Sequence, residues 1–296
     1  MSKTHDHTAM PKGRDIPILL LGIIGIGTSG PLIAKSIMPV PTLIFWRNLA
    51  GSLIMAPFAL RKREWSTPEQ RRAIAIAALS GVFLALHFIG FFVAMRFTSV
   101  AAGTALTALQ PIFSAIYVRS QGGHIAKLSL FGMAVAFASV LVITGVDFNL
   151  SMRAFEGDLF AIGCAALAAT YVMFGSKVQA TISTSTYTTV CYGVCSLTAL
   201  PMIFITSSTV IAFPKVQWLW LFLLVIGAQI LGHTMFNLAL KRLSPVVVSL
   251  IVFFEVPVAA IFALIWLHQK PSAGILPGIA GILIGCSIFV LGRNSK

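Results

Sequence analysis

The sequence predicts an all-α polytopic membrane protein, with ten transmembrane helices arranged as two inverted five-helix repeats around a central cavity. Three observations carry this. Hydrophobic residues make up 57% of the 296-residue chain and charged residues 10%, against roughly 45–50% and about 25% in soluble domains, so a water-facing surface could not be covered. The apolar residues fall into ten runs of near membrane length, separated by mostly short polar gaps. A block near residue 94 recurs near residue 239 at a constant spacing. Ala94-Met95-Arg96-Phe97-Thr98-Ser99 aligns with Ala239-Leu240-Lys241-Arg242-Leu243-Ser244, and the same register sets Gln110 opposite Glu255 and His124 opposite Gln269.

A helix crosses a bilayer in about 20 residues with its backbone polar groups satisfied internally. The predicted spans are 16–34, 41–60, 73–95, 99–118, 128–145, 158–176, 187–206, 217–239, 245–267 and 273–291. The first follows a tail, residues 1–15, whose Lys3, Lys12 and Arg14 imitate a secretory signal. Its apolar run exceeds the about 7–15 residues of a signal-peptide core, so it is read as an uncleaved membrane helix. Within it, Gly27-Thr28-Ser29-Gly30-Pro31 is a candidate point of unwinding, with Gly30 and Pro31 as hinges. Thr67-Pro68-Glu69-Gln70 resembles a capping box with proline in the first turn, which starts the third helix before it enters lipid. Pro111 and Pro257 fall mid-span in the repeat-related fourth and ninth helices. Each removes a helix hydrogen bond and leaves a carbonyl, at Thr107 and Phe253, needing another partner, so both are hinge candidates.

Five helices per half is an odd number, so the second half enters the membrane from the opposite side. The repeats are 16–146 and 158–291, joined by an outer linker over 147–157 and followed by a short tail, 292–296. Inverted repeats of this kind hold substrate sites near the midplane, where the halves meet. With the amino terminus inside, fifteen lysines and arginines lie on the cytoplasmic side and five outside (Lys35, Arg96, Arg153, Lys215, Lys270), which places both termini in the cytoplasm. Arg47 is left over, inside a span. Trp46, Trp218, Trp220 and Trp266 fall near outer span ends, where amphipathic rings favour the headgroup level.

Composition also excludes. The net charge of +13 is spread through the gaps between apolar runs rather than gathered in a patch, so nucleic acid is not a partner. Cys164, Cys191, Cys195 and Cys286 lie in apolar runs and read as small hydrophobes without metal-ligand company. The His5-Asp6-His7 triplet sits in a polar tail and reads as disordered. No nucleotide-binding loop, metal cluster or other cofactor motif is present, and no acid pair or activated nucleophile marks an enzyme.

The chain resembles the drug/metabolite transporter superfamily, and within it the EamA-type members with two five-helix repeats. The resemblance is carried by Phe45-Trp46-Arg47, the Ala94–Ser99 and Ala239–Ser244 blocks, Leu109-Gln110-Pro111, Glu255-Val256-Pro257, and the glycine-rich last span with Gly278, Gly281 and Gly285. It covers essentially residues 16–291. The Leu-Gly-Glu-like endings common after the fourth and ninth spans are replaced by Gly122-Gly123-His124 and Leu267-His268-Gln269, which weakens any carried-over proton coupling at those ends. The resemblance implies a basket of helices moving small metabolites or drugs, often outward, across the bacterial inner membrane.

Charged groups inside spans are costly and therefore functional candidates. Glu255 lies near the midplane, fit to bind a substrate amine or exchange a proton, or to serve as a structural carboxylate paired with Arg47. Arg47 itself reads as a charge partner or a tie between helix ends. Ser99, Gly103, Thr107, Gln110 and Ser114 share one helix face, which either lines the cavity or packs closely. Gln229, His233 and Asn237 repeat every four residues and must turn inward. His87, Tyr171 and Thr28 are weaker cavity candidates. A lining of amides, hydroxyls and imidazoles with one acid and no arginine cluster points to export of amino acids or related compounds, driven by a gradient and open to proton coupling. Cationic drug or toxic-compound efflux is the alternative, and a non-transporting membrane scaffold the rival from another class. The partners expected are a small-molecule substrate and the lipid bilayer. Oligomeric state leaves no mark in one sequence.

Overall fold

The computed structural model describes residues 13, 15–120, 126–241, 243, 248, 251–252 and 254–293. The tail with His5 and His7, His124, and Arg242, Ser244 and Phe253 lie outside the described residues. The described residues form helices and the loops between them. In chain order these are α1 (Ile16–Gly27), α2 (Ser29–Lys35), α3 (Val40–Lys62), α4 (Pro68–Phe97), α5 (Val100–Thr107), α6 (Gln110–Ser120), α7 (Lys127–Leu150), α8 (Met152–Val178), α9 (Thr184–Ile205) and α10 (Lys215–Leu224). A π-helix (Val225–Thr234) joins α10 to α11 (Met235–Ala239), and α12 (Glu255–Leu267) and α13 (Leu276–Arg293) follow.

Among the described residues seven helical stretches are long and apolar enough to cross a membrane: Ile16–Lys35, Val40–Lys62, Pro68–Phe97, Lys127–Leu150, Met152–Val178, Thr184–Ile205 and Lys215–Ala239. Three more apolar helices are shorter, Val100–Ser114, Glu255–Leu267 and Ala273–Phe289. Large apolar side chains such as Leu53, Phe137, Leu197, Phe222 and Ile265 are exposed on the outside of the bundle, as a lipid-facing surface requires. The chain is a multi-pass membrane protein.

Local signals account for several ends. The capping box at Thr67 is present: its hydroxyl accepts from Gln70 N and its own N–H donates to Gln70 Oε1, both at 3.3 Å. Arg63 ends α3 in the left-handed region at φ 51°. Ser99 and Ser183 cap α5 and α9 by accepting from Ala102 N and Thr186 N.

Within the segment expected as the outer linker, 147–157, α7 runs to Leu150 and α8 starts at Met152, with a break at Ser151 between them. Other expectations are corrected. Neither proline kinks the middle of a helix. The chain breaks just before each one, where Leu109 N–H donates to Leu106 O at 3.2 Å and Phe254 N–H to Ile251 O at 3.1 Å. Pro111 and Pro257 then fall in the first turns of α6 and α12, where an absent N–H costs nothing. Gly27–Pro31 does not unwind. A single helical junction at Thr28 separates α1 from α2.

Packing joins helices distant in sequence. α3 and α9 run antiparallel, since Thr42 Oγ1 donates to Thr209 O, Ser52 Oγ to Thr189 O, and Ser183 N to Glu64 Oε2. α7 and α13 do likewise, with Ser129 Oγ donating to Phe289 O while Gly274 lies against Val146. α4 packs along α8, and α1 along the π-helix.

Candidate functional site

A cavity of about 70 Å³ lies inside the bundle. Polar residues from eight elements line it: Ser29 of α2, His87 of α4, Thr107 of α5, Gln110 of α6, Tyr171 of α8, His233 of the π-helix, Asn237 of α11 and Glu255 of α12. Phe88, Phe91 and Phe236 form its aromatic walls.

The polar groups are held by one another or by backbone. His87 Nδ1 donates to Cys164 O at 2.9 Å, which puts the proton on that nitrogen. Asn237 Nδ2 donates to the Tyr171 hydroxyl at 2.7 Å. Thr107 Oγ1 donates to Gly103 O at 2.9 Å, the back-bond common for threonine in a helix. The His233 ring stands edge-on to Phe88 at 5.2 Å and to Tyr171 at 6.4 Å. Glu255, the first residue of α12, is nearly buried. Among the described residues it makes no hydrogen bond and no ion pair, although Arg47 is near enough to act on it electrostatically. An acid at a helix amino terminus is favoured by the dipole, by about 0.3–1 kcal/mol.

Seven of the expected residues therefore meet at one cavity: Glu255, Gln110, Thr107, His233, Asn237, His87 and Tyr171. Three do not line it. Gln229 turns away from His233 and Asn237, accepting from Arg47 Nε at 2.6 Å and donating to Asn48 Oδ1 at 3.1 Å. The physical reason is that one helix face passes different neighbours along its length, first α3 and then the cavity. The Thr28 hydroxyl donates to Gly25 O at 2.7 Å within its own helix, and its neighbour Ser29 lines the cavity instead. Arg47 does not contact Glu255 as an ion pair; it is fully buried and lies over the Phe88 ring at 4.2 Å. Gly30 and Pro31 are buried within α2, Gly30 closely packed against Val100 and Met95. The aromatic walls escaped sequence reading, because nothing in an apolar run separates a cavity-facing phenylalanine from a lipid-facing one.

Outside the membrane segments, Glu64 binds the start of α9, accepting from Ser183 N at 2.8 Å and Thr186 Oγ1 at 2.7 Å. Partial burial pushes its carboxyl upward, but these bonds and nearby Lys241 outweigh that and hold it below the ordinary range. Among the described residues no group of three or more histidine, cysteine or acidic side chains is placed to hold a metal ion.

A multi-pass helical bundle enclosing a largely apolar cavity that carries polar groups from both sequence halves defines a class, that of membrane proteins with an internal site for small solutes. The sequence profile of the EamA-like transporter family matches residues 15–145 and again 155–291. An uncharacterized transporter of Archaeoglobus fulgidus is 24% identical over 253 residues, covering 84% of this chain and 86% of that protein. A chain of known crystal structure superposes with a TM-score of 0.67 at 16% identity, over 97% of this chain and all of its own, a likeness of fold alone. The chain belongs to the EamA-like transporter family and is a membrane transporter.

Proposed function

We propose that this protein is a secondary transporter that exports a small amine-bearing metabolite, with amino acids as the leading class. The observation that carries the reading is Glu255, a nearly buried acid without a hydrogen-bond or ion-pair partner among the described residues, facing a largely apolar cavity whose other polar side chains are uncharged. A substrate ammonium is the partner such a carboxylate lacks. The amide and imidazole groups of Gln110, Asn237 and His233 supply hydrogen bonds for the rest of a polar solute. The cavity of about 70 Å³ has room for a few water molecules, not for an amino acid. Helices must part to admit substrate, as alternating access demands.

The ten crossings in two inverted repeats belong to the same reading. They are supported by equivalent helices of the two halves packing antiparallel, α3 with α9 and α7 with α13. Exchanging the halves turns the α4–α8 contact into that of α1 with the π-helical span, as a pseudo-twofold axis in the membrane plane would. On this reading both termini are cytoplasmic, which the lysine and arginine distribution supports, the membrane is a bacterial inner membrane, and a gradient drives transport, with Glu255 as the candidate proton carrier. Efflux of cationic organic compounds is the second reading, favoured by the aromatic walls at Phe88, Phe91 and Phe236, whose ring faces attract cations.

Proteoliposomes loaded with labelled amino acids and organic cations test both. Wild-type protein is expected to move amino acids and Glu255→Gln to lose at least about tenfold in rate, the worth of one hydrogen-bonded charge. Full activity of Glu255→Gln would remove the acid from the site. Transport of lipophilic cations alone would select the second reading. If raising the external pH at zero membrane potential leaves the rate unchanged, proton exchange is dropped.

A further inference from the structure

We propose that Arg47 is the carboxylate anchor of the site, so that Arg47 and Glu255 together form a two-point clamp for zwitterions. This rests on the transport reading above and deepens it. Arg47 is fully buried in α3. Its Nε donates to Gln229 Oε1 at 2.6 Å, Gln229 Nε2 donates to Asn48 Oδ1 at 3.1 Å, and Asn48 Nδ2 donates to Ile44 O at 2.9 Å. This relay fixes one edge of the guanidinium. The other edge, Nη1 and Nη2, is buried with no hydrogen-bond partner among the described residues.

Such an edge is expensive. A buried charge with unsatisfied donors carries a desolvation penalty that apolar side chains of the same volume would avoid. The rings of Phe88 and Phe92, with centroids 4.2 and 5.6 Å from Cζ, offset part of it through their negative faces. Neither ring satisfies the two N–H groups, whose fork matches a carboxylate in a bidentate pair. Glu255 does not fill this role here, since no ion pair joins the two residues among the described contacts. Phe88 also lines the cavity, which Arg47 does not reach, so this ring is a neighbour of both the guanidinium and the site. Rotation of that ring, when helices part to admit substrate, brings the fork to the cavity.

The charge balance selects the ligand. One fixed anion on the cavity wall and one fixed cation against the wall residue Phe88 are matched by a solute that carries one of each. An α-amino acid bound this way leaves the net charge of the site unchanged. A simple amine would leave Arg47 as it stands, and a phosphorylated dianion would face a single arginine and a repelling Glu255.

The test uses the full-length protein in liposomes and a panel of L-amino acids, each paired with its decarboxylated amine. For wild type, the amino acid is expected to compete at least about tenfold better than its amine. In Arg47→Gln the amino acid should fall by about 10- to 100-fold, the loss of a charge-assisted pair, while its amine changes less than about threefold. Arg47→Lys should retain part of the preference. Equal losses for acid and amine would assign Arg47 to scaffolding or to tuning of Glu255 and overturn the proposal. If Arg47→Gln does not fold, the wild-type ranking decides alone, and an amine that competes as well as its amino acid overturns it. Wild-type protein that moves neither member of any pair overturns the transport reading, and the clamp with it.

Discussion

Replacing Gly25 by alanine tests whether the contact between α1 and the π-helix is set by backbone. A Cβ on Gly25 would meet Gly227 O at 2.6 Å, Gly232 N at 2.8 Å and the carbonyl carbon of Leu231 at 2.9 Å. All three are backbone atoms, so no rotamer change relieves the contact. Restoring ordinary separations of about 3.5 Å requires the helices to part by roughly 1 Å. Overpacking of this kind costs about 1–3 kcal/mol, opposed by the roughly 1 kcal/mol that alanine gains over glycine in a helix. Because every clashing atom is backbone, the cost belongs at the upper end of its range, and the net effect is destabilising by about 1–2 kcal/mol. Gly163→Ala is the control, since nothing lies within 4 Å of its Cβ position and only the propensity gain applies. Thermal unfolding of detergent-solubilised protein, followed by tryptophan fluorescence, should show the two variants moving in opposite directions. A Gly25→Ala variant that melts at or above wild type would refute the argument that this interface has no slack.

Glu64→Ala removes the acceptor for Ser183 N and the Thr186 hydroxyl and should cost about 1–2 kcal/mol in the same melting assay. Because the Glu64 carboxyl is held below its reference value of 4.5, its contribution is complete above that pH and is lost as pH falls through the lower folded value. The melting difference between wild type and Glu64→Gln should therefore vanish in acid; a difference that grew there would contradict the assignment. Tyr171→Phe leaves the buried Asn237 Nδ2 without this acceptor and is expected to lower stability by about 1 kcal/mol and to raise KM about fivefold, an unchanged KM meaning that Asn237 is positioned otherwise. Trp46→Phe deletes the N–H donated to Val210 O at 2.9 Å and should lower stability by about 1 kcal/mol while leaving transport intact.

What the sequence disclosed follows from what lipid penalises. An acid, two histidines, an asparagine and a glutamine in apolar runs had to turn inward, and Glu255, His87, His233, Asn237 and Gln110 share a cavity. Gln229 obeys the same rule and is satisfied by Arg47 instead, because periodicity gives a face and not a neighbour. Ten residues of π-helix add to the difference, since their i to i+5 winding shifts the register that a spacing of four presumes. Its place in the chain left Arg47 as a charge partner or a tie between helix ends. Its burial depends on α3, α4 and the π-helix meeting around it, which no single segment encodes. Proline chemistry fixed where a hydrogen bond is missing at 111 and 257. It left open whether the chain kinks there or starts a new helix, and the structure takes the second course.

The two breaks lead to a last experiment. Leu109 and Phe254 close the same short turn, and the residues that follow, Gln110 and Glu255, each begin a helix at the cavity wall. These two positions are also opposite one another in the sequence register of the halves. If the halves are inverted repeats, as proposed above, the amide at 110 and the acid at 255 occupy equivalent stations, and one carboxylate makes the site unequal toward its two faces. Moving the charge tests that relation. Glu255→Gln alone should lose at least about tenfold in amino-acid transport, and adding Gln110→Glu should restore part of it, because the acid again stands at a helix amino terminus facing the same solute. Rescue would also mirror the site, so a preference for one direction in asymmetric liposomes should weaken or invert. A double variant no more active than Glu255→Gln would mean that the stations are not interchangeable, and that the surroundings of residue 255, with Arg47 within electrostatic reach, are what the substrate requires.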